Sequence, residues 1–121
     1  MTQEKVTYRA EWHGTVLVES DDTIRVEGNR YFPPESLRPE FFRNSTHSSV
    51  CPWKGTAQYF SVDVAGDHNE AAAWYYPNPS TAAQHIRNYM AFWKGVDVVK
   101  VRRDGDETAH RPRFFARLMG R

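Results

Sequence analysis

The sequence predicts a mainly β fold: a single compact antiparallel domain, barrel-like or a folded pair of sheets, with one short helix and a basic C-terminal tail. Three observations carry this. Apolar residues recur with period two in several separate stretches, the sign of half-buried strands. Glycine, proline and Asx clusters punctuate those stretches at short intervals. Only one short segment, near residue 80, carries a helical stripe, so helices cannot supply the core. With 121 residues, 40% apolar and 14% aromatic, the chain has the material for one modest core.

Residues 5–13 alternate, with Val6, Tyr8, Ala10 and Trp12 on one face and Lys5, Thr7, Arg9 and Glu11 on the other. His13-Gly14 breaks this strand, and residues 15–19 form a second. Ser20-Asp21-Asp22 reads as a turn. Residues 23–27 alternate again, Ile24 and Val26 inward, and Gly28-Asn29 reverses the chain into Arg30-Tyr31-Phe32 as a hairpin. Pro33-Pro34 ends that strand, because proline gives a ladder no donor. Residues 36–42 suit one short helical turn, pinned by Leu37, Phe41 and Phe42, and residues 44–49 read as loop. The clearest strand is 57–64, with Phe60, Val62 and Val64 opposite Ala57, Tyr59, Ser61 and Asp63. A turn over 65–69 returns it through 70–76. Asn78 or Ser80 caps a helix over about 80–88, whose stripe is Ala82, Ala83, Ile86, Met90 and Trp93. Strand follows from residue 89 to Trp93, then Gly95, then a last strand over 96–103. The valines of that strand change phase between Val98 and Val99, which predicts a bulge or burial on both faces. The domain is thus expected over 1–103, with 104–121 as a basic extension and one helical turn near 114–118.

Charge and composition exclude several function classes. Net charge is +1. Residues 102–121 hold six arginines and three acids, so the folded body is slightly acidic. A nucleic-acid partner is therefore not expected, since binding would need positive charge over a folded face. No apolar run approaches the roughly 20 residues of a membrane span. MTQEKVTYR shows neither an apolar core nor an A-x-A cleavage site, so secretion is not expected; with one cysteine and no internal disulfide to form, a cytoplasmic protein is expected. Cys51 is alone, and His13, His47, His68, His85 and His110 are scattered without zinc spacing; no metal and no cofactor are expected. No phosphate-binding glycine loop is present, and the Asp21-Asp22 and Asp63/Asp67 acids fall in turns rather than converging on Mg²⁺.

Candidate functional residues centre on Ser49-Val50-Cys51-Pro52-Trp53-Lys54-Gly55. Pro52 keeps Cys51 extended, and Gly55 admits a backbone shape closed to other residues. Trp53 and Lys54 are thus held on a stiff corner that opens the main strand. Lys54 near Cys51 would hold a thiolate, making a nucleophile. Alternatively, Lys54 would grip a carboxylate or phosphate while Trp53 stacks on a ring. The plain readings are that Cys51 packs as a small hydrophobe and that Lys54 pairs with an acid. Glu27, Tyr31, Tyr59, Trp74 and Tyr76 fall where they could share one cavity mouth, although aromatic stripes also simply build cores.

The segments WHGTVLVESDDTIRVEGNRYFPPESL, SSVCPWKGTAQYFSVDV and AAAWYYPNPSTAAQHIRNYMAFWKGVDV resemble the family called domain of unknown function 427. The likeness spans about residues 12–98. Arg30 and Ser49 stand where histidine and threonine would be expected. The resemblance implies a small antiparallel fold similar to the β-tent group, whose members often carry zinc on paired cysteines that this chain lacks. Nucleotidyl transfer, with which the family is sometimes labelled, finds no metal site in these residues. The expected function is binding of a small anionic or aromatic ligand by Glu27, Tyr31, Ser49, Trp53, Lys54, Tyr59 and Trp74. The alternatives are an enzyme using Cys51 or Lys54, and an interaction module that docks a partner on the basic tail.

Overall fold

A computed structural model describes residues 5–101. Nine antiparallel strands form three sheets: β1 (Thr7–Trp12), β2 (Thr15–Ser20), β3 (Ile24–Val26), β4 (Asn29–Tyr31), β5 (Phe42–Cys51), β6 (Gly55–Val64), β7 (Asp67–Tyr75), β8 (Met90–Phe92) and β9 (Asp97–Val101). The sheets are β2-β1-β9, the β3-β4 hairpin, and β5-β6-β7-β8. The fold is mainly β, as the alternation predicts, and none of the three sheets closes into a barrel. The tail over 104–121, with its expected helical turn, lies outside the described residues.

The organising feature is a four-stranded sheet covered on both faces. Along β6, Phe60, Val62 and Val64 face a cluster that includes Ala10, Leu17 and Val18 of the β2-β1-β9 sheet. Ala57 and Tyr59 face a second cluster with Ile24, Val26 and Tyr31 of the hairpin and Ala83 and Ile86 beyond β7. Period two in β6 therefore separates two apolar faces rather than a wet face from a dry one. Tyr31 and Phe32 enter opposite clusters. Phe32 and Met90 exchange backbone hydrogen bonds of 2.8 Å in both directions, which splices the hairpin onto β8.

The reversals are tighter than the sequence suggests. His13-Gly14, Glu27-Gly28 and Ala65-Gly66 hold positive φ at both residues, the signature of turns whose twist matches paired strands; Lys94-Gly95 holds it too, between β8 and β9 of different sheets. The expected turn over 65–69 is thus two residues long, and the hairpin turn falls on Glu27-Gly28, one residue before the expected Gly28-Asn29.

Several expectations are corrected. Residues 44–49 are not a loop but part of β5, paired to β6 at Asn44, Ser48 and Ser49 with an irregularity between Asn44 and Ser48. As an edge strand with most side chains in water, it carries no apolar period for sequence reading to find. The helix over 80–88 is instead a 3₁₀ segment, Thr81–Ile86, kinked at Ala83. Its i, i+3 repeat buries Ala83 and Ile86 and leaves Ala82 exposed. Ser80 does not cap it by its side chain, because its Oγ donates to the Trp53 carbonyl at 2.5 Å. The turn over 36–42 is two 3₁₀ turns, Pro34–Ser36 and Pro39–Phe41. β9 pairs with β1 without a bulge; as an edge strand it leaves Val98 and Val99 partly exposed, so the phase change is neither bulge nor double burial. Val6 is likewise exposed, and Thr7 is the buried residue of that pair.

Phe32 is fully buried where hairpin and sheet join. Phe32→Ala should cost about 3–5 kcal/mol in urea unfolding; a loss below about 1 kcal/mol would show that the splice contributes little.

Candidate functional site

The corner between β5 and β6 is locked from outside. Ser80 donates its backbone N–H to the Lys54 carbonyl at 2.9 Å and its hydroxyl to the Trp53 carbonyl. Gly55 sits at φ +117°, a backbone shape that strains any residue with a Cβ, and a Cβ there would also crowd the Asn78 carbonyl oxygen at 3.3 Å. Cys51 is extended at the end of β5, as Pro52 predicts.

From this corner Lys54 turns inward and is buried. Its ammonium donates to the Glu27 carboxylate in a very short contact, and Trp53 Nε1 donates to the other Glu27 oxygen at 3.0 Å. Glu27 makes this reach from the tip of the β3-β4 hairpin, where it holds φ +54°, a conformation uncommon for a residue with a Cβ. The Lys54 ammonium also lies 5.0 Å from the Trp53 ring centre and 5.7 Å from that of Tyr76, within cation–π range. Burial works against the charge on Lys54, but the hydrogen bond to Glu27 and the negative charge around the amine outweigh it, so the amine titrates above its ordinary range. Glu27 is held below the usual carboxylate range by the Lys54 and then the Trp53 hydrogen bonds. Both groups are charged at neutral pH.

Beside this pair lies a cavity of about 220 Å³, lined by Lys54, Asn29 and the rings of Tyr31, Tyr59, Trp74, Tyr76 and Trp93. Most polar ring edges are already engaged by the protein. Trp74 Nε1 donates to the Tyr31 hydroxyl at 3.2 Å, Trp93 Nε1 to the Ala71 carbonyl at 2.7 Å, and the Tyr59 hydroxyl meets Ser49 Oγ at 2.8 Å. The rings stand nearly perpendicular, Tyr31 to Trp74 at 88° and Trp74 to Trp93 at 83°. Burial raises the phenols of Tyr31 and Tyr76, which stay protonated. The hollow therefore offers π faces as walls and a few donors: the Lys54 protons not given to Glu27, the Tyr31 O–H, and the Asn29 amide.

The structure brings Tyr31, Lys54, Tyr59 and Trp74 onto this lining. Glu27 holds Lys54 from outside it, Ser49 reaches it only through Tyr59, and Trp53 is 40% exposed and flanks the pair. Cys51 is half-buried, packs against the second cluster and does not line the cavity. Asn29 and Trp93 were not among the expected residues. Asn29 was legible by alternation with Tyr31. Trp93 alternates with Ala91 on the same strand face, but the assumed helical stripe hid it. Among the described residues no group of three His, Cys, Asp or Glu side chains is placed to hold a metal, and no helix is long and apolar enough to cross a membrane.

Comparison with known sequences agrees with the resemblance. The profile of the family described as a domain of unknown function, DUF427, matches residues 1–104, and the chain belongs to that family. Comparison with curated proteins returns no match.

The Glu27–Lys54 pair sets a pH dependence. Because Glu27 is depressed when folded, its contribution is present above its ordinary value of 4.5 and is lost as pH falls through the lower folded value. Because Lys54 is raised, its contribution is present below 10.5 and is lost as pH rises through the higher folded value. The urea midpoint of Glu27→Gln should lie below that of the parent across the neutral range and converge on it below pH 4.5. Lys54→Met should be milder, since glutamine leaves a buried ammonium without its counter-charge and methionine does not. A Glu27→Gln deficit that does not change with pH would contradict the pairing.

Proposed function

We propose that the cavity beside Lys54 binds a small, planar, neutral ring compound that carries hydrogen-bond acceptors on one edge. The observation behind this reading is that the cavity's one cation is already neutralised by Glu27, while its other walls are largely ring faces. An anion would have to compete with a carboxylate that Lys54 and Trp53 both hold. A flat ligand need displace nothing: it stacks on ring faces and takes the remaining Lys54 and Tyr31 protons with a carbonyl or ring nitrogen. The volume lies below the roughly 300 Å³ at which drug-sized pockets begin, which favours one or two fused rings. Of the two ligand types the sequence suggests, the aromatic one is therefore preferred. No catalytic step follows, because Cys51 lies outside the lining and Lys54 is a protonated amine held by Glu27.

Trp74 and Trp93 on the walls supply a readout. Titration of the full chain with nicotinamide, benzamide and hypoxanthine should quench intrinsic fluorescence saturably for at least one of them. Trp74→Ala should abolish that binding, and Lys54→Met should weaken it by about tenfold or more, the loss of a charge-assisted hydrogen bond. Saturable binding of citrate or succinate with no response to any of the three ring compounds would overturn the reading.

A further inference from the structure

We propose a second site, for a phosphate-type oxyanion, on the opposite face of the β3-β4 hairpin. The register sets Arg25 directly opposite Arg30. Like charges placed directly across two paired strands destabilise a hairpin, and this hairpin has only three residues in each strand. Among the described residues, neither arginine forms an ion pair with an acid. Both line one cavity of about 290 Å³, with Gly28 and Asn29 at the hairpin tip and Phe92, Val96 and Val98 behind. The lining thus includes two arginines and no acidic residue.

Arg30 is also pre-positioned. Its guanidinium carbon lies 3.9 Å from the centre of the Tyr8 ring, and its Nη1 donates to Thr23 Oγ1 at 3.4 Å. Tyr8 thereby fixes the plane of one fork, and the cross-strand register supplies the second. Two arginines lining one space suit a tetrahedral oxyanion, whose several oxygens can accept from both. A single carboxylate presents only two oxygens. The anion also removes the repulsion that the bare hairpin carries, so occupancy and hairpin stability are coupled. This site does not depend on the ring-lined cavity, from which the period-two alternation of β4 directs Arg30 away.

The test uses the full 121-residue chain, ¹⁵N-labelled, titrated with inorganic phosphate at constant ionic strength. Because the arginines over 102–121 attract phosphate too, the readout is local: the backbone amides of Arg25, Gly28 and Arg30, which line this cavity and not the ring-lined one. They should shift saturably, and Arg25→Gln should weaken that response by about tenfold or more while remaining at least as thermally stable as the parent in low salt without phosphate. Arg30→Lys, which keeps the charge and loses the fork, should weaken it as well. Phenyl phosphate binding more tightly than inorganic phosphate would assign the site to a phosphorylated compound; equal binding would assign it to the free anion. Absent shifts, shifts unchanged in Arg25→Gln, or acetate binding as well as phosphate would overturn the proposal.

Discussion

The contact between Glu27 and Lys54 joins the two parts of the chain on which the ring-lined cavity depends. Glu27 lies at a hairpin tip and Lys54 in a turn 27 residues later. Without a counter-charge, a buried ammonium would be strongly disfavoured, so the corner can keep Lys54 inside only while the hairpin presents Glu27. The same carboxylate also takes the Trp53 N–H. One acid therefore fixes the positions of a cation and an indole, at the cost of a left-handed backbone at Glu27. Strained residues of this kind persist where their surroundings determine them, and here the surroundings are the corner and the second cluster.

The fold makes that contact possible by covering the four-stranded sheet twice. One face is filled by aliphatic side chains and phenylalanines of the larger cluster. The other is filled by alanines, tyrosines and a tryptophan, thinly enough to leave a hollow. The small side chains of Ala57, Ala71, Ala83 and Ala91 let the hairpin and the 3₁₀ segment lie close to the sheet, and the large rings stand between them. Ala71 is informative: it holds φ +56°, its N–H is taken by the buried Ser61 hydroxyl at 2.9 Å, and its carbonyl receives Trp93. A local break in β7 thus orients a wall of the cavity, in keeping with the tendency of bulges to re-aim side chains.

How much of this was legible in the sequence follows from where each signal was local. β1, β2, β6 and the β3-β4 hairpin showed their alternation, and Pro52 and Gly55 announced the stiff corner. β5 was hidden because an edge strand running through Arg43, Asn44, Ser45, Thr46 and His47 has no apolar face to show, and its pairing with β6 is interrupted between Asn44 and Ser48. The region after Ser80 misled because 3₁₀ and α segments share an i, i+3 spacing, so Ala83 and Ile86 fit either. For the cavity, Tyr31, Tyr59 and Trp74 were legible as ring-bearing strand positions. That Glu27 meets Lys54 was not, since it depends on how the hairpin folds back over the sheet. The opposition of Arg25 and Arg30 depends on the register: with the turn on Glu27-Gly28 rather than Gly28-Asn29, the partner of Arg30 becomes Arg25 instead of Glu27.

The most direct test of the central contact is ¹⁵N NMR detection of the lysine side-chain ammonium groups in the full chain. If Glu27 holds Lys54 inside, one ammonium should exchange with water far more slowly than the rest and show nuclear Overhauser contacts to the Trp53 and Tyr76 rings. Lys54 exchanging as fast as the surface lysines, with no contact to either ring, would contradict the account.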